Sequence, residues 1–337
     1  MSLYKAETRR LVKRRFTKFL VIGALLVLAA VAVGMFFTNE KVGPDQIAAA
    51  QREADADYER TVQQVTLDKQ NCEKAKGTAD AANWPPDCSQ ITPPAREEIQ
   101  TSWFLPPTFD FRENFGALIT AMAAILAMAA FVIGASFVGA EWNSGGMMNL
   151  LLWRPQRVKV LSTKLVAFLA NLTLLTVLVT AAWTGIFVLI ARLRGTIASM
   201  TAGAWESFAL TGLRALALVL VAGALGFGLA SIGRHTAMAL GVAVGVAVIF
   251  QFGLGAVLAI AQVKFFEAYL IPVWIQAWMD KTYTVTDYQS CDYSVSSNGC
   301  EPDTMDITWQ MSGVALAVAL VVVVGAALWT MRRRDIT

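Results

Sequence analysis

The residues best suited to nucleophilic, proton-transfer or metal chemistry are one histidine, His235, and four cysteines, Cys72, Cys88, Cys291 and Cys300. Their arrangement supports none of these activities. The lone histidine falls at a loop, which excludes a Ser-His-Asp arrangement within the membrane, and the acidic residues are scattered over the outside. The cysteines lack C-x-x-C spacing, so a metal site is not indicated. No G-x-x-x-x-G-K-[ST] phosphate loop occurs. Gly223, Gly226, Gly228 and Gly233 follow no strand and read as packing residues, as do Gly241 and Gly245, a G-x-x-x-G pair. The chain therefore offers no catalytic residue, no metal ligand set and no nucleotide site. Nothing in it points to a nucleic-acid partner.

One local stretch has a definite character. It runs from Glu141 through Trp142, Asn143, Ser144, Gly145 and Gly146 to Trp153, then Arg154, Pro155, Arg157 and Lys159. Asn143 or Ser144 can cap a short helix, and Pro155 should end it, because the residue before proline avoids the helical region. That helix would hold Met147, Met148, Leu150, Leu151, Leu152 and Trp153. An element apolar nearly all round must bury its side chains against membrane, its own chain or a partner. Methionines adapt well to a partner surface.

The elements that position this stretch are six apolar runs, 19–37, 115–138, 165–191, 215–232, 236–263 and 311–331. Each is free of charge and near the length of about 20 residues needed to span a bilayer. A charge at the centre of a span costs roughly 2.5–3.5 kcal/mol, so charge-free runs of this length are a strong signal. The composition, 56% hydrophobic and 16% charged, agrees. The first run is longer than the core of a signal peptide. Of the seven polar pieces so defined, the odd ones hold 15 Lys or Arg against 3 Asp or Glu, and the even ones 13 against 22. Cytoplasmic loops carry the basic excess. The expected fold is an all-α membrane protein with six transmembrane helices and both termini cytoplasmic. The N-terminal piece, residues 1–18, is either a helix lying on the anionic inner leaflet or a solvated basic tail. The inner pieces 139–164 and 332–337 are short.

Residues 38–114 are too long for a simple connection and read as a small, partly helical extracellular domain between helices 1 and 2. Helix is expected over Asp45–Gln70, with Ile47, Val62, Val65 and Leu67 as sparse apolar anchors; Pro85-Pro86, Pro93-Pro94 and Pro106-Pro107 then break it. Trp103 and Phe104 suit the return to the membrane interface. All four cysteines fall in outer pieces, which suits an oxidising exterior and disulfides Cys72–Cys88 and Cys291–Cys300 by proximity, although four cysteines allow three pairings. The outer piece 264–310 reads as a re-entrant hairpin bent at Pro272, or as an interface-anchored loop.

Polar residues inside spans are candidates for a transport route. Thr173, Thr176, Thr180 and Thr184 lie on one helix face, and Gln251 lies mid-span. Threonines in spans also commonly bond to their own backbone.

Several of these features together resemble the permease subunits of ABC-2-type transporters. They are Glu141 at the end of the second span, a following glycine, the Leu150-Leu151 pair, Pro155-Gln-Arg157, and the basic close Trp329-Thr-Met-Arg-Arg-Arg334. Six spans, the minimal Gly233-Arg-His235 connection and a re-entrant segment before the last span match as well. Gly146, where many relatives have threonine, and the large first outer loop depart from the pattern. The resemblance implies an exporter of a hydrophobic or amphipathic substrate in a bacterial plasma membrane. Its partners would be a separate ABC ATPase dimer, a second permease copy, identical or related, and membrane lipids. ATP and Mg would be held by the ATPase, and this chain would be no enzyme by itself. The helix Gly145–Trp153 would be the coupling helix that docks on the ATPase. Glu141 would fix its junction, and Arg154 and Arg157 would contact the ATPase or lipid phosphates. The alternative from the residues alone is a membrane-surface hairpin. At the level of function, the alternative is a membrane-anchored sensor or scaffold whose outer domain binds a ligand.

Overall fold

The structure, a computed structural model, describes residues 3–153, 156–287 and 302–333. It is 82% helical, in keeping with the helical expectation. Among the described residues, six helices are long and apolar enough to cross a membrane: α2 (Arg15–Thr38), α4 (Phe111–Asn143), α6 (Arg157–Arg194), α7 (Ala202–Gly233), the run Thr236–Ile260, and α11 (Trp309–Arg333). In order along the chain, the other helices are α1 (Leu3–Lys13), α3 (Pro44–Ala75), α5 (Gly146–Trp153) and α10 (Ile271–Asp280). The fifth span is composite: α8 (Thr236–Val246), a wider π-helical stretch over Ala247–Leu254, and α9 (Gly255–Ile260). Four of the six spans extend several residues beyond their apolar runs. A helix continues into polar surroundings wherever its backbone bonds remain satisfied, and hydropathy does not register this.

The chain divides into two compact units. The larger comprises Met1–Ala32, Arg112–Phe187 and Ser199–Thr337. Its interior is built from α4, α6 and α7. Phe137, Phe168 and Phe227 stack in series, with centroids 6.1 and 6.3 Å apart. Helices within a bilayer associate by close packing rather than hydrophobic exclusion, so small residues matter at their crossings. A Cβ at Gly226 would lie 2.1 Å from the Phe131 carbonyl oxygen, and one at Gly134 would lie 2.3 Å from that of Gly223. The span-four glycines are thus packing residues, as expected. Gly241 and Gly245 make no such approach within this chain: a Cβ at either would meet nothing within 4 Å. The fifth span buries only Ala239 and Gly255, so that glycine pair faces outward from the chain.

After the fifth span the helical path breaks at Leu270, between the short helix Phe266–Tyr269 and α10, and not at Pro272 itself. Pro272 instead sits in the first turn of α10, where its missing N–H costs nothing. Next comes a feature that helical periodicity could not reveal, an antiparallel pair of strands, β3 (Thr282–Asp287) and β4 (Asp303–Thr308). Val285 and Ile307 bury their side chains against Val273 and Ala277 of α10. Trp278 Nε1 donates to the Arg214 carbonyl at 2.9 Å, and Arg214 Nη1 donates to the Met279 carbonyl at 3.1 Å, so α10 and α7 are tied twice.

The smaller unit comprises Val33–Phe111 and Val188–Ala198. Pro44 opens α3, and the Gly43 N–H donates to the Gln46 side chain at 2.8 Å. The helix packs through Ala50, Ala54, Cys72 and Ala75. Ile47 and Leu67, expected as anchors, are exposed, because the short segments packed on α3 approach its alanine face. Cys72 and Cys88 form the expected disulfide. Cys291 and Cys300 lie outside the described residues. Arg96 pairs with Asp55 and lies over the Tyr58 ring at 5.6 Å. Two short parallel strands, β1 (Phe109–Asp110) and β2 (Gly195–Thr196), also meet in this unit.

Candidate functional site

The stretch after the second long helix forms the helix that its sequence predicts, within a residue. Glu141 lies in the last turn of α4. Gly145 then adopts φ = 70°, and its N–H donates to the Trp142 carbonyl at 3.2 Å, which reverses the chain into α5. The Ser144 hydroxyl donates back to the Glu141 carbonyl at 3.4 Å, so it serves the end of α4 rather than capping α5. Met147 and Leu151 are buried, and Leu150 is half-buried. Leu152 and Trp153 are 77% and 87% exposed, and Met148 also lies at the surface. The apolar circumference is thus divided: one side packs on the chain, and the other is presented outward. Arg157 opens α6. Arg154 and Pro155 lie outside the described residues.

The base of this loop is closed by a residue that the sequence did not single out. Lys164, in the second turn of α6, is fully buried. Its Nζ lies 2.5 Å from Glu7 Oε2 and 2.8 Å from Glu141 Oε2. The first contact is a hydrogen-bonded ion pair; the second is close but not aligned as a hydrogen bond. The Phe137 ring lies 4.9 Å from the ammonium. A buried lysine is stable in its charged form only if carboxylates or dipoles replace lost water. Here two carboxylates do so, Glu141 from the end of α4 and Glu7 from outside the loop.

Glu7 belongs to α1, so the N-terminal helix is part of this arrangement. It is neither a free tail nor merely a surface helix. Arg10 Nη1 bonds Glu7 Oε1 at 3.3 Å. Arg14 Nη1 donates to the Ser136 carbonyl of α4 at 2.7 Å. Burial holds the Arg14 guanidinium below its ordinary pKa, and the Glu141 carboxylate opposes that shift. Asn171 of α6 donates to Thr8 Oγ1 at 3.2 Å, and Leu11 is buried. Glu7 and Thr8 of α1 are therefore tied to α6, and Arg14, just after α1, to α4.

The short turn between α7 and α8 reaches the same end of α4. Arg234 takes a left-handed conformation, φ = 54°, and lies 5.0 Å over the Trp142 ring. A Cβ at Gly139 would sit 2.4 Å from the Thr236 nitrogen. His235 serves as a helix cap, its Nδ1 accepting from the Ala237 N–H at 3.0 Å.

The threonine face of α6 is only partly a cavity wall. Thr176, Thr180 and Thr184 border a cavity of about 340 Å³ between α4, α6 and α7, together with Phe115, Trp205 and Phe208. Thr173 lies outside that lining and donates to the Leu169 carbonyl, and Thr184 likewise donates to Thr180. Gln251 does not line this cavity; it lies in the π-helical stretch, and among the described residues its buried Oε1 has no partner.

Glu7 was visible in the sequence as the lone acid among the seven basic residues of the N-terminal piece, and Lys164 as a charge on the threshold of a span. Nothing in their spacing joins them, because 157 positions separate the two.

No curated protein matches the chain. The family model described as "ABC-2 family transporter protein" matches residues 1–336. That match spans all six long helices, the α5 loop and the N-terminal helix that pins it. The chain therefore belongs to the ABC-2 transporter family, as a multi-pass membrane protein of the permease type.

Proposed function

We propose that this chain is the permease subunit of an ABC exporter in a bacterial plasma membrane, with both termini cytoplasmic. Its α5 docks on a separate ATPase dimer, and a second permease copy, identical or related, completes the translocation pathway. The observation that carries this reading is the divided surface of α5. Leu152 and Trp153 project outward from a loop whose base is clamped by Glu141 and Lys164. A rigidly held element with an exposed apolar edge suits a partner contact that must transmit displacement. Closure of the ATPase dimer moves α5, and the Glu7–Lys164–Glu141 cluster carries that movement into α1, α4 and α6 together. The 15-to-3 basic excess of the odd polar pieces supports the orientation.

The cavity bordered by Thr176, Thr180 and Thr184 suits an apolar or amphipathic substrate, since its walls are chiefly aromatic and aliphatic with a few hydroxyls. A second reading, a membrane-anchored sensor, draws on the 32-residue α3 and its disulfide, which exceed what a connecting loop requires. Vanadate-sensitive ATP turnover by the purified, reconstituted assembly tests the first reading. Turnover that tracks substrate export supports it. A chain that carries no ATPase and copurifies with a signalling protein would replace it with the second.

A further inference from the structure

We infer that the cleft between α2 and α6 is a binding site for one anionic phospholipid, with an acyl chain in the cleft and the phosphate on Lys18. The cleft is a cavity of about 400 Å³. Its walls come from the end of α1, the first half of α2, α4 and α6, with Leu11, Val21, Ile133, Leu172, Leu175 and Leu178 among them. A smaller void continues from it along the same helices, sharing Val21, Ile133, Leu172 and Leu175. At about 1.5 Å per residue, the run from Asn171 to Val179 is about 12 Å long, a fitting length for much of an acyl chain.

The cleft exists because of how α2 packs. Its buried residues are Ala24, Leu28 and Ala32, at four-residue spacing, all toward the middle and the far end of the helix. At the near end α2 follows the break after α1, and its side chains part from α6. An apolar void in a bilayer protein forfeits dispersion contacts along its whole lining, and a lipid chain restores them.

The polar groups sit at one end only: Thr17, Lys18 and Asn171. The Asn171 amide nitrogen is already committed to Thr8 and Ala167. Lys18 is exposed and, among the described residues, enters no ion pair. It stands with Lys13, Arg14 and Arg15, and the nearest acid in sequence, Glu7, is held by Lys164 and Arg10. That local charge selects an anionic headgroup over a zwitterionic one. The occupant is thus set by two features acting together, an apolar trough of chain length and an uncompensated cation at its mouth.

The test uses the full chain, delipidated in mild detergent and titrated with phosphatidylglycerol or phosphatidylcholine of identical chains, read by native mass spectrometry. One phosphatidylglycerol should bind about tenfold more tightly than phosphatidylcholine. Lys18→Gln should bring the two lipids to near parity. Leu175→Trp, which fills the trough, should abolish the single tight site for both. Arg9→Gln, an equal charge change at a residue that does not line the cleft, should leave the preference intact, and each variant is read only with an unfolding midpoint in detergent equal to that of the unaltered chain. Equal binding of both lipids by the unaltered chain, an equal loss of preference in Arg9→Gln, or tight binding that survives Leu175→Trp would overturn the assignment.

Discussion

Lys164 and Glu7 form a fully buried ion pair, 2.5 Å from Nζ to Oε2, that joins the N-terminal helix to the start of the third span. With Glu141 as the second carboxylate, the pair closes the base of the loop that carries α5.

Removing the lysine leaves the fully buried Glu7 with only the exposed Arg10, 3.3 Å away, as its cation. Breaking a buried pair in this way costs about 3–5 kcal/mol. Lys164→Ala should therefore lower the midpoint of thermal unfolding in detergent sharply. Lys164→Ala combined with Glu7→Gln should be less damaging than the two single effects added, by a coupling of about 0.5–3 kcal/mol. Strict additivity in a double-mutant cycle would show that the two side chains do not interact.

Glu141 contributes to the clamp from the loop's other side and is less buried than Glu7. Glu141→Gln should leave the chain folded and the ATPase bound. Export driven by each ATP hydrolysed should fall, by about tenfold if the clamp is worth about 1.4 kcal/mol to transmission. Parallel assays of ATP turnover and substrate flux check this, and unchanged flux per turnover would count against the clamp.

The Cys72–Cys88 disulfide closes the end of α3 onto the segment that follows it, across a separation of 16 residues. The chain-entropy argument gives about 3 kcal/mol for a loop of that size. Cys72→Ser with Cys88→Ser should make the C-terminal turns of α3 protease-sensitive while the spans stay protected. Limited proteolysis followed by mass mapping distinguishes this local loosening from global unfolding.

At the strand pair, the Asp303 carboxylate lies 2.6 Å from the Lys264 ammonium and raises its pKa above the ordinary lysine value. The folded form therefore holds its proton more tightly than the unfolded form. The contribution is full below the ordinary lysine pKa of about 10.4 and disappears as pH rises through the folded value. Both side chains are exposed, so the effect is local. Asp87 behaves oppositely: hydrogen bonds from Ser89 lower its pKa, and its contribution is lost as pH falls below the ordinary carboxylate range. The protection of β3 amides, measured relative to their intrinsic base-catalysed exchange, should fall as pH rises through the folded lysine value in the native chain, and Lys264→Gln should remove that fall.

Most of what composition can encode was legible. Six spans follow from charge-free length, and the α5 helix from an apolar run between a glycine pair and Pro155. The extensions of α4 and α6 past their apolar cores were not legible, because hydropathy locates hydrocarbon and not the ends of helices. The β3–β4 pair was missed for a related reason: its segments are short and polar beside a loop of cysteines. The G-x-x-x-G pair at Gly241 was read as packed because the motif is indifferent to partner, and within this chain it faces outward. The largest gap was the charge cluster. Glu7 and Glu141 are two of the three acids in the odd polar pieces, a scarcity that hinted at their use. Only the fold could bring both to Lys164.

The central claim is that the exposed edge of α5 is the docking surface for an ATPase. It is tested most directly by affinity purification of the tagged chain from its native membrane, unaltered and as Trp153→Glu. Trp153 is 87% exposed, so its replacement should not disturb the fold. Stoichiometric recovery of a phosphate-loop ATPase with the unaltered chain, and loss of that protein from the variant, are expected. Recovery of the unaltered chain without an ATPase, or equal retention by the variant, would contradict the claim.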